Sequence, residues 1–137
     1  MLRSERRQLH ARAAWSLEAS SSDRLHEVAA VLGHHFAMAG ETERAVHHLE
    51  IAADHAASVF ANDEAIALYR RALGLVAEQP PANTMAKAGV ELRAKLAEIL
   101  LHTGRHGEAR EALQEALGFV GPLGPFQACL LYTSRCV

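Results

Sequence analysis

The chain is poor in several residue types, and each shortage removes a class of function. Of its 137 residues only two are lysine, Lys87 and Lys95, and neither stands behind a glycine-rich stretch. A phosphate-cradling GxxxxGK[ST] loop is therefore excluded, and no GxSxG or HExxH pattern occurs either. Aromatics make up 5% of the chain, which leaves little to stack nucleic-acid bases. No apolar run approaches the roughly 18 residues of a spanning helix, and the start Met-Leu-Arg-Ser-Glu-Arg-Arg has no apolar stretch behind it. A net charge of -2 gives no global attraction to nucleic acid or an anionic surface. A cytoplasmic protein with no cofactor, no metal, no nucleic-acid partner and no membrane contact is expected.

Cysteine is missing until the last nine residues, Cys129-Leu130-Leu131-Tyr132-Thr133-Ser134-Arg135-Cys136-Val137. This tail has neither helical nor strand periodicity. It resembles a translated sequencing-adapter junction: two transposase mosaic ends back to back, TGT CTC TTA TAC ACA TCT AGA TGT GTA followed by TAA, encode this nonapeptide and a stop. Residues 129–137 are therefore set aside as a scar, and the natural chain is expected to run on beyond Phe126. Without those two cysteines, disulfides, thiolate zinc sites and cysteine nucleophiles drop out.

What the chain has in plenty is alanine, 27 residues, the best intrinsic helix former. Glycine and proline cut the sequence into helix-length pieces. Helices are expected from Arg3 to about Ala19, from an Asp23 N-cap to about Ala39, and from a Thr42 N-cap to about Phe60. Three more follow, from Asn62 or Asp63 to about Glu78, from Thr84 to Thr103, and from Gly107 to Val120. Pro80-Pro81-Ala82-Asn83 and Gly121-Pro122-Leu123-Gly124-Pro125 are breaks. The expected fold is all-α, about six antiparallel helices in hairpins. The length suits one helical domain over residues 1–121, with a Gly/Pro linker at 122–128.

Internal repetition is the informative signal. Ala45-x3-Leu49-x2-Ala52 recurs as Ala65-x3-Tyr69-x2-Ala72 and as Ala109-x3-Leu113-x2-Ala116. Small-large-small at spacings of four and three lines one helix face and lets a neighbour approach. Leu32-Gly33-x2-Phe36 precedes the first copy and Leu96-Ala97-x2-Leu100 the third, with Gly40 and Gly104 at the turns. This resembles the tetratricopeptide repeat and implies a TPR-like α-solenoid. The middle copy follows the first by 20 residues instead of about 34, so the third and fourth helices cannot both be ordinary second helices.

A narrower resemblance rests on Glu5-Arg6-Arg7-x2-His10-Ala11-Arg12, His34-His35-Phe36-x3-Gly40 and Ala45-x3-Leu49-x2-Ala52. These resemble the helical region after the ATPase core in bacterial STAND-class signalling proteins, among them class III adenylate or guanylate cyclase homologues and LuxR-type transcription regulators. The resemblance implies a protein-interaction or sensing arm in signal transduction, with an ATP-binding domain elsewhere in the parent and no catalysis in this fragment. A stand-alone TPR adaptor, a small helical bundle and a histidine-rich metal-binding bundle are the alternatives.

Within the TPR register, the groove side of the second helix carries Glu27, Ala30, His34 and Met38. The equivalent side of the fifth carries Glu91, Ala94, Glu98 and His102. Such a groove suits a basic or amphipathic protein or peptide segment, or another domain of the parent. Nine histidines stand out: His10, His26, His34, His35, His47, His48, His55, His102 and His106. His102 and His106 have ligand spacing but straddle Gly104, and adjacent pairs point about 100° apart on a helix, which leaves His35 with His48 as the cross-helix combination. Arg3, Arg7 and His10 share a basic face. Trp15, Phe36, Phe60 and Tyr69 are read as core.

Overall fold

A computed structural model describes residues 2–79 and 85–118. Among them are six α-helices and no strand: α1 (Arg3–Ser20), α2 (Leu25–Met38), α3 (Thr42–Ser58), α4 (Asn62–Ala77), α5 (Met85–His102) and α6 (His106–Gly118). Both proline-rich breaks, the 122–128 linker and the 129–137 tail lie outside the described residues. The chain forms two compact units, Met1–Leu75 and Val76–Val137. No helix among the described residues is long and apolar enough to cross a membrane.

The helix junctions explain the repeats. At Gly40 the backbone turns left-handed (φ 84°), Gly40 N–H donates to Ala37 C=O (3.1 Å), and Glu41 N–H reaches back to Phe36 C=O (2.9 Å). That pair of bonds is a Schellman turn, which satisfies carbonyls the helix end would otherwise leave open. Gly104 (φ 80°) repeats it, with Gly104 N–H to Leu101 C=O at 3.1 Å and Arg105 N–H to Leu100 C=O at 2.8 Å. Phe60 (φ 61°) makes the third, with Phe60 N–H to Ala57 C=O at 3.1 Å and Ala61 N–H to Ala56 C=O at 2.8 Å. Ala45, Ala65 and Ala109 each follow the left-handed residue by five positions, and each is wholly buried. The middle copy is therefore no displaced second helix. All three copies mark the first turn of a helix leaving the same kind of junction, with the alanine fully buried.

In the first unit α2 packs against α3 and α1. Ala14, Leu32, Phe36 and Ala45 form a buried cluster, with Leu17, Leu25, Val28, Ala37 and Leu75 against it. Gly33 sets the closest approach: a Cβ there would lie 2.7 Å from Leu49 Cγ. Tyr69 of α4, buried, donates its hydroxyl to Asp54 Oδ1 of α3 at 2.5 Å. In the second unit α5 packs on α6. Leu96, Ala97, Leu100, Ala109 and Ala116 are buried and Leu113 is half-buried, beside an Arg93–Glu115 ion pair at 3.3 Å.

Four details differ from the sequence reading. The N-cap positions of α2 and α3 are Arg24 and Glu41, not Asp23 and Thr42, and neither side chain caps. Both helices leave backbone-bonded turns, Arg24 N–H to Ser21 C=O (2.9 Å) in one case and the Gly40 junction in the other. Phe60 is not core but 85% exposed, because the left-handed turn carries its ring outward. Trp15, read as core, is 43% exposed; the buried residue of α1 is its neighbour Ala14.

Candidate functional site

Trp15 lies where α1 meets α2 and α3. Its ring meets Phe36 edge-on at 5.3 Å, and the Arg44 guanidinium sits 4.1 Å from its centroid. Arg44 also donates to both oxygens of Glu18 (3.0 and 3.1 Å). His48 Nε2–H donates to the same carboxylate at 2.8 Å, while its ring stacks on Phe36 at 5.4 Å. Glu18 thus ties α1 to α3 by a charge-assisted fork. Trp15 keeps an exposed edge because a cation, and not an apolar side chain, covers its face. His48 Nδ1, on the other side of the ring, is buried without a hydrogen-bond partner.

Further along the α1–α2 interface the histidines gather. His10 of α1 and His34 and His35 of α2 bring one nitrogen each within 4.8 Å of the others. His10 Nδ1 and His35 Nδ1 lie 2.9 Å apart, with ring centroids 5.1 Å apart; His10–His34 and His34–His35 follow at 5.9 and 5.5 Å. Arg71 of α4 donates to His34 Nδ1 at 3.0 Å. Partial burial, then the neighbouring charges of His10 and His34, hold the His35 imidazole below its ordinary value and favour its neutral form.

Sequence spacing had divided His34 from His35 and paired His35 with His48. In the structure both adjacent rings flank His10, since residues about 100° apart on one helix can straddle a single residue of a neighbour. His48 turns to Glu18 and Phe36 instead. His10 was assigned to a basic face; it is half-buried in this cluster, while Arg3 and Arg7 are exposed. Twenty-five positions separate His10 from His35, so only their common helix interface, invisible in the linear sequence, reveals the group. Elsewhere, His26 pairs with His55 at 4.9 Å, and His47 meets His48 at 5.2 Å. His102 and His106 are exposed.

The expected groove positions fall in both units. On α2, Glu27, Ala30, His34 and Met38 are all exposed, joined by Val31, which the sequence reading passed over. Glu27, Val31, His34 and Met38 recur at helical spacing, and Val31 and Met38 are 49% and 41% exposed. Arg24 pairs with Glu27 at 3.6 Å and Arg71 holds His34, so this face is less acidic than its carboxylate suggested. On α5, Glu98 and His102 are exposed, Glu91 is half-buried and Ala94 is buried. Buried side chains cover most of the circumference of α5, from Gly89 and Val90 through Leu92, Leu96 and Leu100. That interrupts a polar strip there.

No family model, curated protein or solved structure matches the chain.

Proposed function

We propose that this chain is a protein-interaction scaffold, the TPR-like arm of a larger cytoplasmic signalling ATPase of the bacterial STAND class, with no catalysis in these residues. Its hairpins carry the α2 face to a partner. The open face of α2 carries the reading: Val31 and Met38 expose apolar surface one helical stripe wide, flanked by Glu27 and His34, on a helix whose opposite side is packed. Such a stripe suits an amphipathic segment with apolar residues three or four apart and a basic residue facing Glu27. The like Schellman junctions at Gly40 and Gly104, each joining the two helices of a hairpin, support the TPR-like reading.

Titration of the isotope-labelled chain with a basic amphipathic peptide tests this by the shifts of its amide resonances. Shifts are expected to concentrate between Glu27 and Met38, and Val31→Glu to weaken binding roughly tenfold, about 1.4 kcal/mol. Shifts scattered over the molecule, or binding indifferent to Val31→Glu, would overturn the docking face.

A further inference from the structure

We propose that His10, His34 and His35 form a binding site for a divalent transition-metal ion of the zinc class, clamping α1 onto α2. The three rings offer one nitrogen each, all within 4.8 Å of one another. A tetrahedral ion with metal–nitrogen bonds of about 2.0–2.1 Å holds its ligand nitrogens about 3.3 Å apart. The 2.9 Å between His10 Nδ1 and His35 Nδ1 already lies near that spacing. Two neutral imidazoles at that distance share one Nδ1 proton; once the donor ring carries that proton on its own Nε2 instead, both Nδ1 lone pairs are free for one cation. The site is neither fully exposed nor sealed: His10 and His35 are half-buried and His34 is exposed. An ion therefore has an entry path and a fourth position open to water or to a partner's side chain.

Arg71 opposes the ion. Its guanidinium donates to His34 Nδ1 at 3.0 Å, occupying the lone pair of the third ligand and placing a positive charge beside the site. Metal binding must displace that bond, so Arg71 sets the affinity while ligating nothing itself. The clamp also has a mechanical reason. Residues 3–9 of α1 are all exposed and Ala14 is its buried residue, so the N-terminal half of that helix has little apolar contact to hold it. A His10 ligand would anchor it there.

This inference stands apart from the docking face, because its readout is metal alone. The full chain is titrated with zinc while its melting temperature is followed, and with cobalt(II) while its visible d–d absorption is followed. The expected results are one equivalent bound, a rise in melting temperature, and the intense visible bands of a low-coordinate cobalt site. His10→Ala and His35→Ala each abolish all three, while His47→Ala and His102→Ala leave them intact. Circular dichroism of the metal-free variants separates lost ligation from lost folding. Arg71→Ala is expected to raise affinity by about tenfold, the scale of outer-shell partners. No stoichiometric binding by the folded wild-type chain, binding that survives in folded His10→Ala, or an Arg71→Ala variant no tighter than wild type would overturn the proposal.

Discussion

At the scale of single residues, two backbone positions carry the strongest consequences. Phe60 holds a left-handed conformation that costs an L-residue roughly 1–2 kcal/mol, and its exposed ring recovers little of that by burial. Phe60→Gly is therefore expected to stabilise the chain by about 1 kcal/mol, seen as a higher denaturant midpoint. An unchanged or lower midpoint would show that the ring makes a contact worth as much as the strain. Gly33 is the opposite case. A methyl group there would collide with Leu49 Cγ, which is buried and has nowhere to retreat. Overpacking of this kind costs about 1–3 kcal/mol, against about 1 kcal/mol of improved helix propensity. Gly33→Ala should lower the midpoint, and the same substitution should cost less in a Leu49→Ala background, where the colliding Cγ is gone. Gly40 and Gly104 were legible as turns because glycine alone enters the left-handed region without penalty. At Phe60 the helix end was legible but the left-handed turn was not, because the chain there breaks the rule that made the other two readable.

At the scale of elements, α1 buries a single residue, Ala14. Its attachment rests on Ala14, on the Trp15–Arg44 stack and on Glu18, which receives Arg44 and the buried His48 together. Glu18→Ala leaves His48 Nε2 without its acceptor, and orphaning a buried donor costs about 1–3 kcal/mol. The loss should fall on α1: hydrogen exchange is expected to quicken along Arg3–Ser20 while the α5–α6 hairpin keeps its protection. Equal acceleration in α6 would contradict this assignment. Helix existence was legible from alanine content and the glycine turns, and each helix begins and ends within a few residues of expectation. Trp15 and Phe60 were misread as core for a common reason: apolar character fixes what a side chain prefers, while its placement depends on neighbours supplied from far along the chain, here Arg44 for the tryptophan and the turn geometry for the phenylalanine. His10 was placed on a basic face for the same reason, since its partners come from α2.

At the scale of the whole molecule, the chain is built by reuse. Among the described residues one junction occurs three times, and the hairpin Leu32-Gly33-x2-Phe36 … Gly40 … Ala45-x3-Leu49-x2-Ala52 returns as Leu96-Ala97-x2-Leu100 … Gly104 … Ala109-x3-Leu113-x2-Ala116. Repetition of one supersecondary unit belongs to scaffolds that extend by adding copies. The central claim is that this chain is an arm of a larger signalling protein. Long-read sequencing of the source locus through both ends of the reading frame tests that claim most directly. The account predicts one continuous frame that runs upstream into a P-loop ATPase and downstream, past Phe126, into further hairpins of the same register, with the Cys129–Val137 nonapeptide gone. A genomic frame that opens at Met1 and closes after a genuine Val137, with no ATPase sequence joined to it, would contradict it.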